Sequence, residues 1–164
     1  MKPKKIPMPS DGELIKKSSS ERRVKKIPPE QWIWMGHPAH FIGGFDCRFH
    51  MATKVGDYIV STVGEYLPDY ETRELIANAK GIKLMGRGDD RRHFYLSKIG
   101  FEEIGFNRKY ETMVFLAQKS KRNDACCPWV IADGCELEAS SYNDAASATN
   151  GHFLMCEKVS AWMD

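Results

Sequence analysis

Three features of the chain predict an α+β fold, a small, mainly antiparallel sheet with two short helices, plus a C-terminal Cys/His-containing helical segment. Runs rich in β-branched and aromatic residues lie between Gln31 and Ala117, separated by short turn-forming stretches. Two stretches with helix start and stop signals interrupt them. The last stretch, from Asp144 to Met163, repeats apolar and small residues at helical spacing. The resulting order, β-β-β-α-α-β-β, favours an α+β domain over alternating parallel units.

Each element has a local reason. Gln31-Trp32-Ile33-Trp34-Met35 is strand-like and stops at Gly36. Residues 47–54 and 57–63 are β-prone runs around Val55-Gly56-Asp57, a hairpin signal. Pro68 ends the second run. Tyr70 to Lys80 reads as a helix, with Glu71 and Glu74 early, Lys80 late and Gly81 as its stop. A second helix is expected to begin at an N-cap Asp89 or Asp90 and to run through Lys98 to Gly100. Phe101–Ile104 and Tyr110–Ala117 are two further strand candidates. Residues 118–142 are polar and rich in turn residues, and read as irregular. In the last helix Ala145, Ala148, His152, Cys156 and Val159 share one face, which Trp162 extends. Gly151 weakens that helix by roughly 1 kcal/mol relative to Ala.

The chain has 164 residues, 42% of them hydrophobic, which suits one domain with a real core and at most a small appendage. Three segments are expected: a basic flexible arm over 1–29, an α+β body over 30–118, and a small Cys/His segment ending in a helix over 119–164. The arm contains prolines, serines and scattered lysines without periodicity. Residues 1–30 carry a net +5, which leaves −3 for the rest of a chain of net +2. Lys4, Lys5, Lys16, Lys17, Arg22, Arg23, Lys25 and Lys26 are therefore candidate contacts to nucleic acid or to an acidic protein surface. No aromatic residues are interleaved with them, so base stacking is not expected. No apolar run approaches the ~18 residues of a membrane span, and no apolar stretch follows the N-terminal lysines. A cytoplasmic protein with no membrane partner is the expectation. The five cysteines are an odd number, which in a reducing compartment suits free thiols or metal ligands.

Two Cys/His clusters are candidate zinc sites. The first is His37, His40, Cys47 and His50, in the spacing His-x2-His-x6-Cys-x2-His, with Gly43-Gly44 allowing the chain to turn back between the pairs. A regular strand over Cys47–His50 would send those two side chains to opposite faces, so the site requires a knuckle-like turn there. The second cluster is Cys127 (or Cys126), Cys135, His152 and Cys156. His152 and Cys156 are four apart on one helix face, and Cys127 and Cys135 would complete a structural zinc site. Against both stands the plainer reading, in which these are core or hydrogen-bonding side chains. A third reading makes Cys47 a nucleophile beside His50 or His37.

Two other stretches could bear chemistry. Gly86-Arg87-Gly88-Asp89-Asp90-Arg91-Arg92 precedes a helix and could hold an anion, but its acidic pair opposes one and its glycine spacing matches no nucleotide fingerprint. A solvated, capped turn is the expectation there. Glu65, in Ser61-Thr62-Val63-Gly64-Glu65-Tyr66, is a candidate base or simply a hydrogen-bonding group.

The stretch Phe94-Tyr95 with Lys98-Ile99-Gly100-Phe101-Glu102-Glu103-Ile104-Gly105 resembles a late segment of GNAT acetyltransferases over about a dozen residues, without the Arg-x-x-Gly-x-Gly/Ala loop that binds acetyl-CoA in that family. A broader resemblance covers most of residues 32–160. His37-Pro38-Ala39-His40-Phe41-Ile42, Cys47-Arg48-Phe49-His50, Ser61-Thr62-Val63-Gly64-Glu65-Tyr66, Tyr110-Glu111-Thr112-Met113-Val114-Phe115, Tyr142-Asn143-Asp144-Ala145 and Gly151-His152 are similar to accessory proteins of tailed bacteriophages. That resemblance implies a viral origin and a host-cell cytoplasm, and no reaction or catalytic residue. The expected function is a binding module for a host protein or nucleic acid, with zinc, where bound, structural. A small metal- or Cys-dependent enzyme and a virion or assembly component are the alternatives. The sequence gives no oligomeric state.

Overall fold

The computed structural model describes residues 26–39, 46–121 and 128–162. Its centre is one five-stranded antiparallel sheet in the order β1-β2-β3-β4-β5, with sequence neighbours always spatial neighbours. The strands are β1 (Ile33–Trp34), β2 (Cys47–Val55), β3 (Tyr58–Tyr66), β4 (Tyr110–Lys119) and β5 (Trp129–Tyr142). Three helices accompany them: α1 (Tyr70–Ala79), α2 (Asp89–Lys98) and α3 (Ala145–Val159). The mixed fold, the antiparallel sheet and the helix near the C-terminus are as the sequence predicts.

Local chemistry accounts for most element ends. The β2–β3 hairpin turns through Gly56-Asp57, and Gly56 takes the positive φ of 57° that the first position of such a turn demands. α1 is capped by Asp69, whose Oδ1 accepts from the Thr72 N–H at 2.9 Å. α3 is capped in the same way by Asp144, which accepts from the Ser147 N–H at 2.8 Å. Both capping carboxyls are held below their ordinary pKa by these hydrogen bonds. α2 departs from expectation: its N-cap is Gly88, with no side-chain cap, and Asp89 and Asp90 lie inside its first turn, where their charge favours the helix dipole.

Two further departures concern strands. Phe101–Ile104 forms no strand and contributes only an isolated bridge, Glu102 to Tyr66. Residues 129–142, expected to be irregular, form the longest strand of the sheet. The turn signal at Asp133-Gly134 is real, but it makes a bulge inside β5 instead of ending it. Gly134 has φ 73°, the Cys135 N–H donates to Asp133 Oδ1 at 3.1 Å, and the β4 register slips between Val114 and Ala117. Residues 128–162 thus supply an edge strand and a packed helix to the sheet.

The pleat gives the sheet two buried faces. Cross-strand partners share a face, so Thr53, Val55, Val60, Thr62, Thr112 and Val114 look one way. α3 packs on that face with Ala148, Gly151, His152, Met155, Cys156 and Val159 turned inward, and Val55, Val60, Val114, Met155, Cys156 and Val159 form one core cluster. Ile27, Trp32, Tyr58 and Trp162 close its end. On the opposite face Met35, Ala52 and Ile59 form a second cluster with Ala39, Ala117, Trp129 and Ile131. β3, in the middle, is buried on both faces.

Two glycines are dictated by close approach. A Cβ on Gly64 would lie 2.0 Å from Tyr110 Cδ1, and one on Gly151 would lie 2.1 Å from Tyr142 Oη. Gly151, a weak point by helix propensity, is the notch in α3 that receives the Tyr142 ring. We expect Gly151→Ala to lower stability by about 1–3 kcal/mol in urea unfolding, despite the better propensity of Ala. In a Tyr142→Ala background the same change should be neutral or stabilising; equal cost in both backgrounds would refute the steric account.

Candidate functional site

The inward face of α3 places one polar side chain in the middle of an apolar layer. His152 is fully buried. An imidazole has two nitrogens to satisfy, and burying either without a partner costs about 1–3 kcal/mol. The sheet supplies both partners: Thr62 Oγ1 lies 2.8 Å from Nδ1, and Thr53 Oγ1 lies 2.9 Å from Nε2. Thr62 also meets Thr112 Oγ1 at 2.7 Å, and Thr53 hydrogen-bonds the Cys156 thiol. Five side chains from β2, β3, β4 and α3 therefore form one chain, Thr112–Thr62–His152–Thr53–Cys156. Protons can run along it in either of two directions, each giving His152 one donated and one accepted bond.

The network fixes protonation. Burial lowers the His152 pKa from 6.5 to about 4, so the ring is neutral at physiological pH. Burial pushes the Cys156 thiol up to about 12, against a smaller opposing effect of its Thr53 hydrogen bond, so it stays a thiol.

His152 also organises the surface above it. Trp34 on β1 lies edge-on to its ring, with centroids 6.2 Å apart, and Phe153 lies edge-on at 5.6 Å. Trp34 is nevertheless 58% exposed, and Phe153 and its neighbour Leu154 are also exposed. An indole and a phenyl ring are thus held at the surface on a rigid buried base.

The sequence-derived candidates are dispersed by comparison. His37 is half-buried, and its Nδ1 lies 3.1 Å from the Pro38 carbonyl oxygen. His40 lies outside the described residues. Cys47 and His50 both sit in the regular strand β2, opposite Tyr66 and Val63 respectively, so they occupy opposite faces of the sheet. Burial and the charge of Asp46 push the Cys47 thiol up to about 11, the reverse of what a nucleophilic thiolate needs. Cys135 is exposed on β5, whereas Cys126 and Cys127 lie outside the described residues. His152 and Cys156 are brought together, through Thr53. Among the described residues no group of three or more His, Cys, Asp or Glu is placed to hold a metal ion. Of the arm, Lys26 is described and exposed; Lys4, Lys5, Lys16, Lys17, Arg22, Arg23 and Lys25 lie outside the described residues. Glu65 has φ 55° and accepts a hydrogen bond from the Tyr110 hydroxyl at 3.2 Å. Arg91 of the Gly86–Arg92 stretch pairs with Glu74 at 2.6 Å and lies over the Tyr70 ring.

Sequence reasoning missed Thr53, Thr62, Thr112 and Trp34. The available signal was period two: the three threonines occupy inward positions of their strands, opposite a helix whose inward stripe contains histidine.

Comparison with known proteins adds no relative: no protein family, curated protein or solved structure matches the chain. No helix among the described residues is long and apolar enough to cross a membrane.

The depressed His152 pKa has a thermodynamic consequence. Above pH 6.5 the ring is neutral whether the chain is folded or not. Between 6.5 and about 4 the unfolded chain takes up a proton that the folded one refuses, so stability falls by roughly 3 kcal/mol; below 4 this contribution is flat. Urea midpoints measured across this range should fall more steeply in the wild type than in His152→Asn. Parallel pH profiles for the two proteins would remove histidine as the cause.

Proposed function

We propose that the protein is a binding module whose contact surface for a protein partner is the exposed pair Trp34 and Phe153. The observation that carries this reading is the pairing of 58% exposure at Trp34 with its edge-on seating against the buried His152 ring. Tryptophan is enriched where a few residues carry most of an interface's energy, and ring anchors that are already ordered lose little entropy on binding. A threonine-locked histidine beneath two exposed aromatic rings supplies that order. The partner's complementary group is an aliphatic or aromatic side chain lying between Trp34 and Phe153, with the polar ends of the partner peptide left in water. The resemblance to phage accessory proteins, which implies no reaction, fits a binding role. The Cys-dependent enzyme reading is weakened by the raised pKa of Cys47.

A photo-crosslinking amino acid at position 34 or 153 tests this in expressing host cells. One discrete protein adduct is expected from both positions and none from position 75, a still more exposed apolar site on α1. Replacing Trp34 by Ala with the probe at 153 should cut the adduct at least about tenfold, equivalent to ~1.4 kcal/mol or more. Equal labelling from all three positions, or none from 34 and 153, would rule the surface out.

A further inference from the structure

α3 has a second flank, away from Trp34, where it faces β5. There the helix and strand flank an open cleft of about 260 Å³. Its walls are Gly151, Met155, Ser140 and the Tyr142 ring, with the exposed Leu154 at its edge. Its rim carries one charge of each sign: Glu138 from β5 and Lys158 from α3, ion-paired across the gap.

We propose that this cleft binds a free α-amino acid with an apolar side chain of about the size of leucine. The chemistry of the walls selects that class. An apolar surface beside one carboxylate and one ammonium complements a zwitterion with a hydrocarbon tail: the ligand's ammonium meets Glu138, its carboxylate meets Lys158, and its side chain lies on Met155 and Leu154. A ligand with one charge would leave one rim group without its partner, whereas a zwitterion replaces one ion pair with two. Opening the existing pair is cheap, because Lys158 is 54% exposed and an exposed ion pair contributes only about 0–1 kcal/mol. The size also fits. A four-carbon hydrocarbon chain with its charged head is accommodated within about 260 Å³. The Tyr142–Gly151 contact makes the back wall rigid, so the shape exists before any ligand arrives. This site lies apart from the aromatic surface and does not rest on it.

The test is a titration of the full chain, labelled at its methionine methyl groups, with leucine, isopentylamine and 4-methylpentanoate, followed by NMR. Leucine is expected to shift the Met155 methyl resonance and to bind at least about tenfold more tightly than either singly charged analogue. Glu138→Gln and Lys158→Met should each weaken leucine about tenfold while keeping the wild-type amide spectrum. Glu157→Gln, exposed on the same helix and outside the cleft, should bind as wild type does. A Met155 resonance that does not move at saturating leucine, or one that moves equally with the singly charged analogues, would overturn the proposal. So would leucine affinity unchanged in both rim variants.

Discussion

The fold depends on an imidazole that has no access to water. His152 sits where an apolar residue would ordinarily seal α3 onto the sheet, and its desolvation is tolerated because Thr53 and Thr62 meet both nitrogens. These contacts are directional in a way that apolar packing is not. A helix resting on Val55, Val60 and Val114 alone could slide or rotate with modest loss. One that must align two nitrogens with hydroxyls on two different strands has a single register. The placement of α3 then sets the surface aromatics on one flank and the cleft on the other.

The sheet shows the same economy of position. Gly64 admits the Tyr110 ring and Gly151 admits the Tyr142 ring, so two tyrosines of β4 and β5 are fitted into missing side chains on β3 and α3. Small residues here create shape. Propensity arguments count such glycines as defects, because they see one element at a time; the gain is realised only between elements.

Much of the architecture was legible from local pattern. The hairpin at Gly56-Asp57, the Tyr70 start of α1, and the apolar stripe of α3 follow from turn chemistry, charge placement and periodicity, and each appears within a few residues of its expected place. β5 was not legible. Its turn signal, Asp133-Gly134, and its acidic, serine-rich composition are those of a loop, yet an edge strand tolerates polar side chains and absorbs a bulge. The site was legible by half. Helical spacing marks His152 and Cys156 as sharing a face, and the structure gives them threonine hydroxyls as partners. Metal-ligand spacing identifies residues that converge; it does not distinguish a metal from a hydrogen-bond network at the point of convergence. Cys47 and His50 show the opposite failure, where close spacing in sequence is cancelled by the alternation of a regular strand.

The linear strand order also bears on how the molecule is made. As the chain leaves the ribosome, β1 to β5 can pair in sequence, each strand with the one before it. The hydroxyls of Thr53 and Thr62 nevertheless wait for a histidine 99 and 90 residues downstream. Until α3 emerges, the sheet presents Val55, Val60, Val114 and a row of threonines to solvent as an uncovered face. The nascent protein therefore passes through a stage in which its strands are assembled but its sticky side is bare, and the arrival of one late helix ends that exposure.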